Sequence, residues 1–259
     1  MTTAGKSEPR AIVLLARGLK ARSVKPDADK RRGRRHKWQP PEGVSADDAA
    51  AVISGARCAA DCSHLNCERN VLLLRTLWAT GARVSEVLRL TPAHVLADSL
   101  VVPTLKNGEE SDGTRPWRRV YLPAGQAQLP AALLIWANTW NVGRHEPLFF
   151  GTDGGNRASR PRARPLKAIS RQQAWFAVKK ASKRAGVLIL AMRPSIDGAR
   201  GEPAPVHPHI FRHARAREIV RRTKNLPLAQ RQLGWQQLHL EYLRLADDET
   251  RQLMAGMVD

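Results

Sequence analysis

Residues 207–245 read HPHIFRHARAREIVRRTKNLPLAQRQLGWQQLHLEYLRL. His209 and Arg212 are three residues apart, a spacing that on a helix sets both side chains on one face. Arg212 offers a planar fork of donors that matches a phosphate. His209 exchanges a proton near neutral pH. A second, shorter helical pattern follows, then Gly234–Trp235, then Tyr242. Tyrosine is scarce, with two in the whole chain. An arginine, a histidine, an indole N–H and a phenol together suit phosphoryl transfer to a tyrosine hydroxyl. His-x-x-Arg alone also arises by chance on a basic amphipathic helix followed by a turn. The order and length of the whole stretch carry the reading.

The surrounding composition points the same way. The 259 residues are 42% hydrophobic, enough for a real core, and carry 43 Lys/Arg against 23 Asp/Glu, a formal +20. The length suits one large domain or two small ones. A positive surplus of this size predicts a polyanionic partner, and nucleic acid is the simplest. A membrane surface is the weaker alternative, because no long basic amphipathic helix carries a matching aromatic face. The longest apolar runs, AIVLLA and AALLIWA, are too short to span a bilayer. AIVLLA is stopped by Arg17, which makes a poor signal peptide. The expectation is a soluble, intracellular protein with no membrane partner.

Residues 1–45 read as a basic, largely flexible arm. Positions 1–40 hold twelve Lys/Arg and three Asp/Glu. Most of that charge sits in KRRGRRHK, residues 30–37, where Arg31, Arg32, Arg34 and Arg35 are candidate phosphate contacts. Pro40, Pro41 and Gly43 mark a boundary, and Ser45 with Asp47 and Asp48 predicts a helix start. Residues 46–259 then form the main domain. In ERNVLLLRTLWATGARVSEVLRL (68–90) an apolar helical face ends at Thr80–Gly81, and a second helix opens near Arg83. Residues 98–123 predict two short strands around turn chemistry. GQAQLPAALLIWANTW (125–140) predicts a core helix, EPLFF a short buried segment, and 190–206 a Gly/Pro-rich connector. From Arg157 to Arg184 there are ten Lys/Arg and no acid.

Residues 207–245 resemble the second conserved box of the tyrosine recombinases, the phage integrase family: His-x-x-Arg, then Leu-Gly-His/Trp, then a nucleophilic tyrosine. Residues 68–90 resemble the first box, a helix ending in Thr-Gly followed by Arg-x-Ser-Glu-x-x-x-Leu. The resemblance runs from about residue 46 to about 245. It implies an α+β fold, mainly α-helical, with a small antiparallel β-hairpin. It implies Arg83, Lys106, His209, Arg212, Trp235 and Tyr242 as the catalytic set. Lys106 sits at the end of the first predicted strand, where the family's hairpin lysine enters the site. Glu86 and His213 are placed behind that set as supports. SRQQAWFAVKKASKRAG resembles the helix that lies against DNA, with Arg171, Lys179 and Lys183 as phosphate contacts; a solvated basic face is the competing account.

The activity implied is site-specific breaking and rejoining of DNA through a covalent 3′-phosphotyrosine and a Holliday junction. Tyr242 attacks, His209 accepts the phenol proton and Lys106 protonates the 5′ oxygen. The partners implied are duplex DNA with an inverted-repeat core site, further copies of the chain (a dimer per site, a tetramer in the synapse), and an accessory protein. The compact size suggests a mobile-element or plasmid recombinase. A bacterial, nucleoid-associated cytoplasmic setting is implied by the family resemblance alone. No cofactor and no metal are expected, since two arginines and a lysine supply the positive charge and no P-loop is present.

Three features depart from the family pattern. A 45-residue arm cannot supply the usual N-terminal clamp domain, which has the size of a small domain. Trp235 stands where histidine is usual, although its N–H still donates. The Trp235-to-Tyr242 segment is slightly short. Two rival readings therefore stand: a type IB topoisomerase-like enzyme, and a DNA-binding protein with an impaired site.

Cys58, Cys62 and Cys67, with His64 among them, do not match a common zinc spacing. They read as reduced cysteines in a loop and helix start, and the spacing does not decide whether they bind metal.

Overall fold

A computed structural model describes residues 44–58, 64–105, 116–151, 165–190 and 203–237. All of them fall in one compact unit, Gln39–Asp259. The arm up to residue 43, Lys106 and Tyr242 lie outside the described residues.

Helix α1 spans Ala46–Ser54 and starts as the sequence predicts. Ser45 Oγ accepts from the Asp48 N–H at 3.0 Å, and the Asp48 carboxylate accepts from the Ser45 N–H at 3.0 Å. This reciprocal box satisfies two donors that the first turn would otherwise leave open. Helix α2, Leu65–Thr80, is the centre of the fold. Leu73, Leu74 and Leu77 are fully buried, and Trp78 meets Phe211 edge-on at 5.9 Å. The helix packs against α1 and against α4 (Leu129–Thr139), α5 (Arg171–Arg184) and α6 (Pro208–Thr223). Being covered on several sides, it needs apolar residues around most of its girth rather than a single stripe. Its two buried threonines satisfy their own hydroxyls: Thr76 donates to Leu72 O at 2.8 Å and Thr80 to Thr76 O at 2.6 Å.

α3 is shorter than the sequence pattern suggests, covering only Val84–Val87. Pro92 follows closely, and the residue before a proline is driven out of the helical region; Thr91 is extended at φ −122°, ψ 166°. Strands β1 (Ser99–Pro103) and β2 (Trp117–Tyr121) pair antiparallel, with Leu100 opposite Val120. Both of those residues are buried, which fixes which face of the hairpin looks inward.

The reading of 190–206 as a plain connector needs correction. β3 (Leu188–Leu190) pairs antiparallel with β4 (Pro203–Pro205). The strand signal is hidden because two of the three β4 residues are prolines, which cannot donate to a ladder. α7, Leu226–Leu233, closes the described chain. Its Asn225 cap accepts from the Leu228 N–H at 2.8 Å.

Candidate active site

The site forms where the C-terminal end of α2 meets α3, β2, α6 and α7. Gly81 ends α2 at φ +59°, a left-handed conformation that glycine adopts without a Cβ penalty. A Cβ there would lie 2.5 Å from Leu233 Cδ2, so α7 seats directly against this turn. The turn delivers two things: the Gly81 carbonyl and, two residues on, Arg83.

Arg212, on α6, is buried although it is an arginine. Its Nη1 donates to Gly81 O at 2.7 Å and its Nη2 to Leu233 O at 2.8 Å. One guanidinium thus ties α6 to the ends of α2 and α7. Two of its N–H donors fix this orientation, and the planar guanidinium fork is the geometry that matches a phosphate.

Glu86 is fully buried. Its Oε1 accepts from Arg83 Nη1 at 2.9 Å, and its Oε2 accepts from the Arg83 backbone N–H at 3.0 Å and from Arg118 Nη2 at 2.8 Å. Burial by itself would push this carboxyl up. Arg118 foremost, together with Arg83, outweighs burial and holds its pKa below the ordinary carboxylate value. Glu86 is therefore a fixed anion that aims Arg83.

The sequence reading missed Arg118. Its guanidinium also donates to Gln232 O at 3.2 Å, to Pro103 O at 3.3 Å and to Thr104 Oγ1 at 3.2 Å, tying the hairpin to α7 and to Glu86. A signal was available. Side chains alternate along a strand, so Arg118 shares the inward face of Val120, and an inward charge needs a counter-charge. The same residue explains Gly234, which lies at φ +64°; a Cβ there would come within 2.9 Å of Arg118 Nη1.

His209 lies in the first turn of α6 and reaches solvent. Partial desolvation on its inner side, then the positive charges of Arg212, Arg83 and Arg171, push its pKa below the ordinary histidine value. It is neutral at neutral pH and able to accept a proton. His213 is pushed down to about 4, chiefly by burial and then by His209, Arg212 and Arg217. His207, absent from the sequence-based set, sits 6.2 Å from His209 between ring centres. Its pKa is also lowered, first by burial. Trp235 is half-buried, two residues beyond the carbonyl that receives Arg212. It packs on the small cluster of Ala216, Val220, Leu226, Ala229 and Leu233.

α5 supplies the flank. Ala174, Val178 and Ala181 face the core, leaving Arg171 and Lys183 exposed. Lys179 Nζ sits 4.2 Å from the centre of the Trp175 ring, which itself meets Phe176 edge-on. Trp175 and Phe176 are both exposed. The structure thus gathers Arg83, Glu86, His209, Arg212 and Arg171 into one cationic centre with a neutral imidazole, beside a basic, aromatic helix face.

A sequence model of the phage integrase family matches residues 58–243, more than half of the chain, and the chain belongs to that family. The fold is that of the tyrosine recombinase catalytic domain. It resembles XerA recombinase with a TM-score of 0.57 at 18% identity, over 84% of this chain and 64% of that one. It resembles XerH recombinase bound to its difH substrate with a TM-score of 0.56 at 17% identity, over 85% of this chain and 55% of that one. A lambda integrase tetramer bound to a Holliday junction matches with a TM-score of 0.51 at 16% identity, over 80% and 50% of the two chains. The chain thus spans between about half and two thirds of the length of these relatives. No curated protein sequence matches it. Among the described residues no helix is long and apolar enough to cross a membrane.

Proposed function

We propose that this chain is a site-specific recombinase that cleaves and rejoins duplex DNA through a 3′-phosphotyrosine on Tyr242. The observation that carries the proposal is the pair of braced arginines. Arg83 is held by buried Glu86, and Arg212 by two backbone carbonyls, with neutral His209 beside them. In the reaction the Tyr242 oxygen bonds to phosphorus, and the bond from phosphorus to the 5′ oxygen breaks. His209 takes the phenol proton and Lys106 protonates the leaving 5′ oxygen. Arg83 and Arg212 neutralise the charge that builds on the non-bridging oxygens. Trp235 donates an indole N–H to one of them. Attack by a second strand's 5′ hydroxyl reverses the chemistry, so no nucleotide is consumed. Arg171, Lys179 and Lys183 hold the backbone of the same duplex. By analogy with the relatives, a dimer assembles on an inverted-repeat core site and a tetramer carries the Holliday junction.

Trapping on a nicked suicide substrate tests this directly. The native chain should give a denaturation-resistant protein–DNA adduct, and Tyr242→Phe none. An adduct that survives Tyr242→Phe removes the nucleophile assignment. No adduct from the native chain on any candidate site favours a DNA-binding protein over an enzyme.

A further inference from the structure

The other end of α2 carries a second cluster. Cys58 and His64 are exposed, and Cys67 is buried in the first turn of the helix. Cys67 Sγ lies 3.6 Å from Cys58 Sγ, and Cys58 Sγ lies 3.9 Å from His64 Nδ1. All three donor atoms fall within 4.8 Å of one another. We infer that Cys58, His64 and Cys67 bind a thiophilic divalent cation, zinc in the first instance, at a structural site independent of the recombinase reading.

The distances carry the inference. With zinc–sulfur and zinc–nitrogen bonds of about 2.3 and 2.05 Å, tetrahedral angles put two sulfurs about 3.8 Å apart, and a sulfur and nitrogen about 3.6 Å apart. Two of the three separations sit on either side of these values and the third lies within 4.8 Å, so the set closes by drawing Cys67 and His64 together through side-chain rotation. Two thiolates and an imidazole form the soft donor set that selects zinc over magnesium or calcium. Local structure agrees. His64 is the N-cap of α2, a position that favours Ser, Thr, Asp or Asn, yet it makes no side-chain cap hydrogen bond. Its Nδ1 faces Cys58 instead. The sequence spacing concealed the site because Cys58 precedes α2 by a loop, while His64 and Cys67 follow each other through the first helical turn. Cys62 lies outside the described residues, and the described residues supply three of the four ligands that a tetrahedral zinc takes.

The site would pin the α1–α2 connection. That connection already leans on α5: Arg184 Nη1 donates to Arg57 O at 3.1 Å, and a Cβ on Gly55 would meet Ala181 O at 2.5 Å. A 16-residue α2 separates the cluster from Gly81 by about 24 Å, so the ion has no part in phosphoryl transfer. Binding exchanges two thiol protons for the cation, and its free energy adds to that of folding.

The test uses the full chain purified under reducing conditions and measures bound zinc by mass spectrometry, with cobalt(II) as a spectroscopic substitute. The expected result is one metal per chain, a thiolate-to-cobalt charge-transfer band, and a melting temperature that falls on chelation and recovers with zinc. Cys58→Ser and His64→Asn change exposed side chains, so the fold should survive while the metal and the band are lost. A metal-free chain that gives no cobalt band overturns the site. So does metal content unchanged in both variants, or a Cys58–Cys67 disulfide in the freshly purified protein.

Discussion

The two ends of α2 are finished in opposite ways. At the C-terminal end, glycine turns the chain, and permanent charges complete the structure. Glu86 is held between Arg83 and Arg118, and Arg212 spans two backbone carbonyls. Each of these contacts is made within the chain, so the arginines are positioned before any phosphate arrives. At the N-terminal end, the donor atoms of Cys58, His64 and Cys67 lie within 4.8 Å of one another, a proximity of soft ligands rather than a pairing of charges. The first arrangement is preorganised, as a transition-state binder should be. The second gains its full strength only when a cation replaces thiol protons. One helix therefore couples a fixed chemical end to a conditional structural one.

The sharpest way to break this contrast is Glu86→Gln. The glutamine amide would turn an N–H group toward donors from Arg83 or Arg118 and leave two arginines without their anion. Removing one partner of a buried charge network costs about 3–5 kcal/mol. Urea unfolding should show that loss, and suicide-substrate cleavage should disappear with it. Near-native stability would mean that the two arginines, not the carboxylate, hold this end together.

A smaller effect is expected from Gly81→Ala. An alanine at φ +59° costs about 1–2 kcal/mol in backbone strain alone. The new methyl group also displaces Leu233, whose carbonyl orients Arg212. Cleavage should therefore fall further than DNA binding. Equal losses in the two assays would show that Arg212 does not depend on this turn.

The mildest probe is pH. His207, His209 and His213 all have lowered pKa values in the folded state, His213 down to about 4. The unfolded chain titrates near the ordinary histidine value of about 6.5, so in the window between about 6.5 and 4 it binds more protons than the folded one. Stability contributed by the neutral rings is then complete above that window and drains away as pH falls through it. The urea midpoint should drop as pH falls from about 6.5 toward about 4, and cleavage should fall once His209 gains a proton. A flat midpoint would show that these rings are not held neutral by their surroundings.

Much of this molecule is decided by local rules. The Ser45–Asp48 box, the end of α2 at Thr80–Gly81, the alternating faces of the hairpin and the His-x-x-Arg pair on α6 rest on interactions a few residues long, which a sequence displays directly. The shared helix face of His209 and Arg212 was legible for that reason, whereas Arg83 and Glu86 were singled out only through the family resemblance. Three features were not legible. Arg118 reaches a carboxylate 32 residues away; its place on the inward face of β2 shows that it needs a counter-charge but not which one. β4 hides behind prolines until β3 is set beside it. The Cys58–His64–Cys67 group has no recognisable spacing, because one ligand arrives from a loop and two from a helix start. Short-range order follows from backbone sterics and side-chain periodicity. Which charges are neutralised, and which thiols meet, depends on chain segments brought together through space, and only packing around α2 decides that.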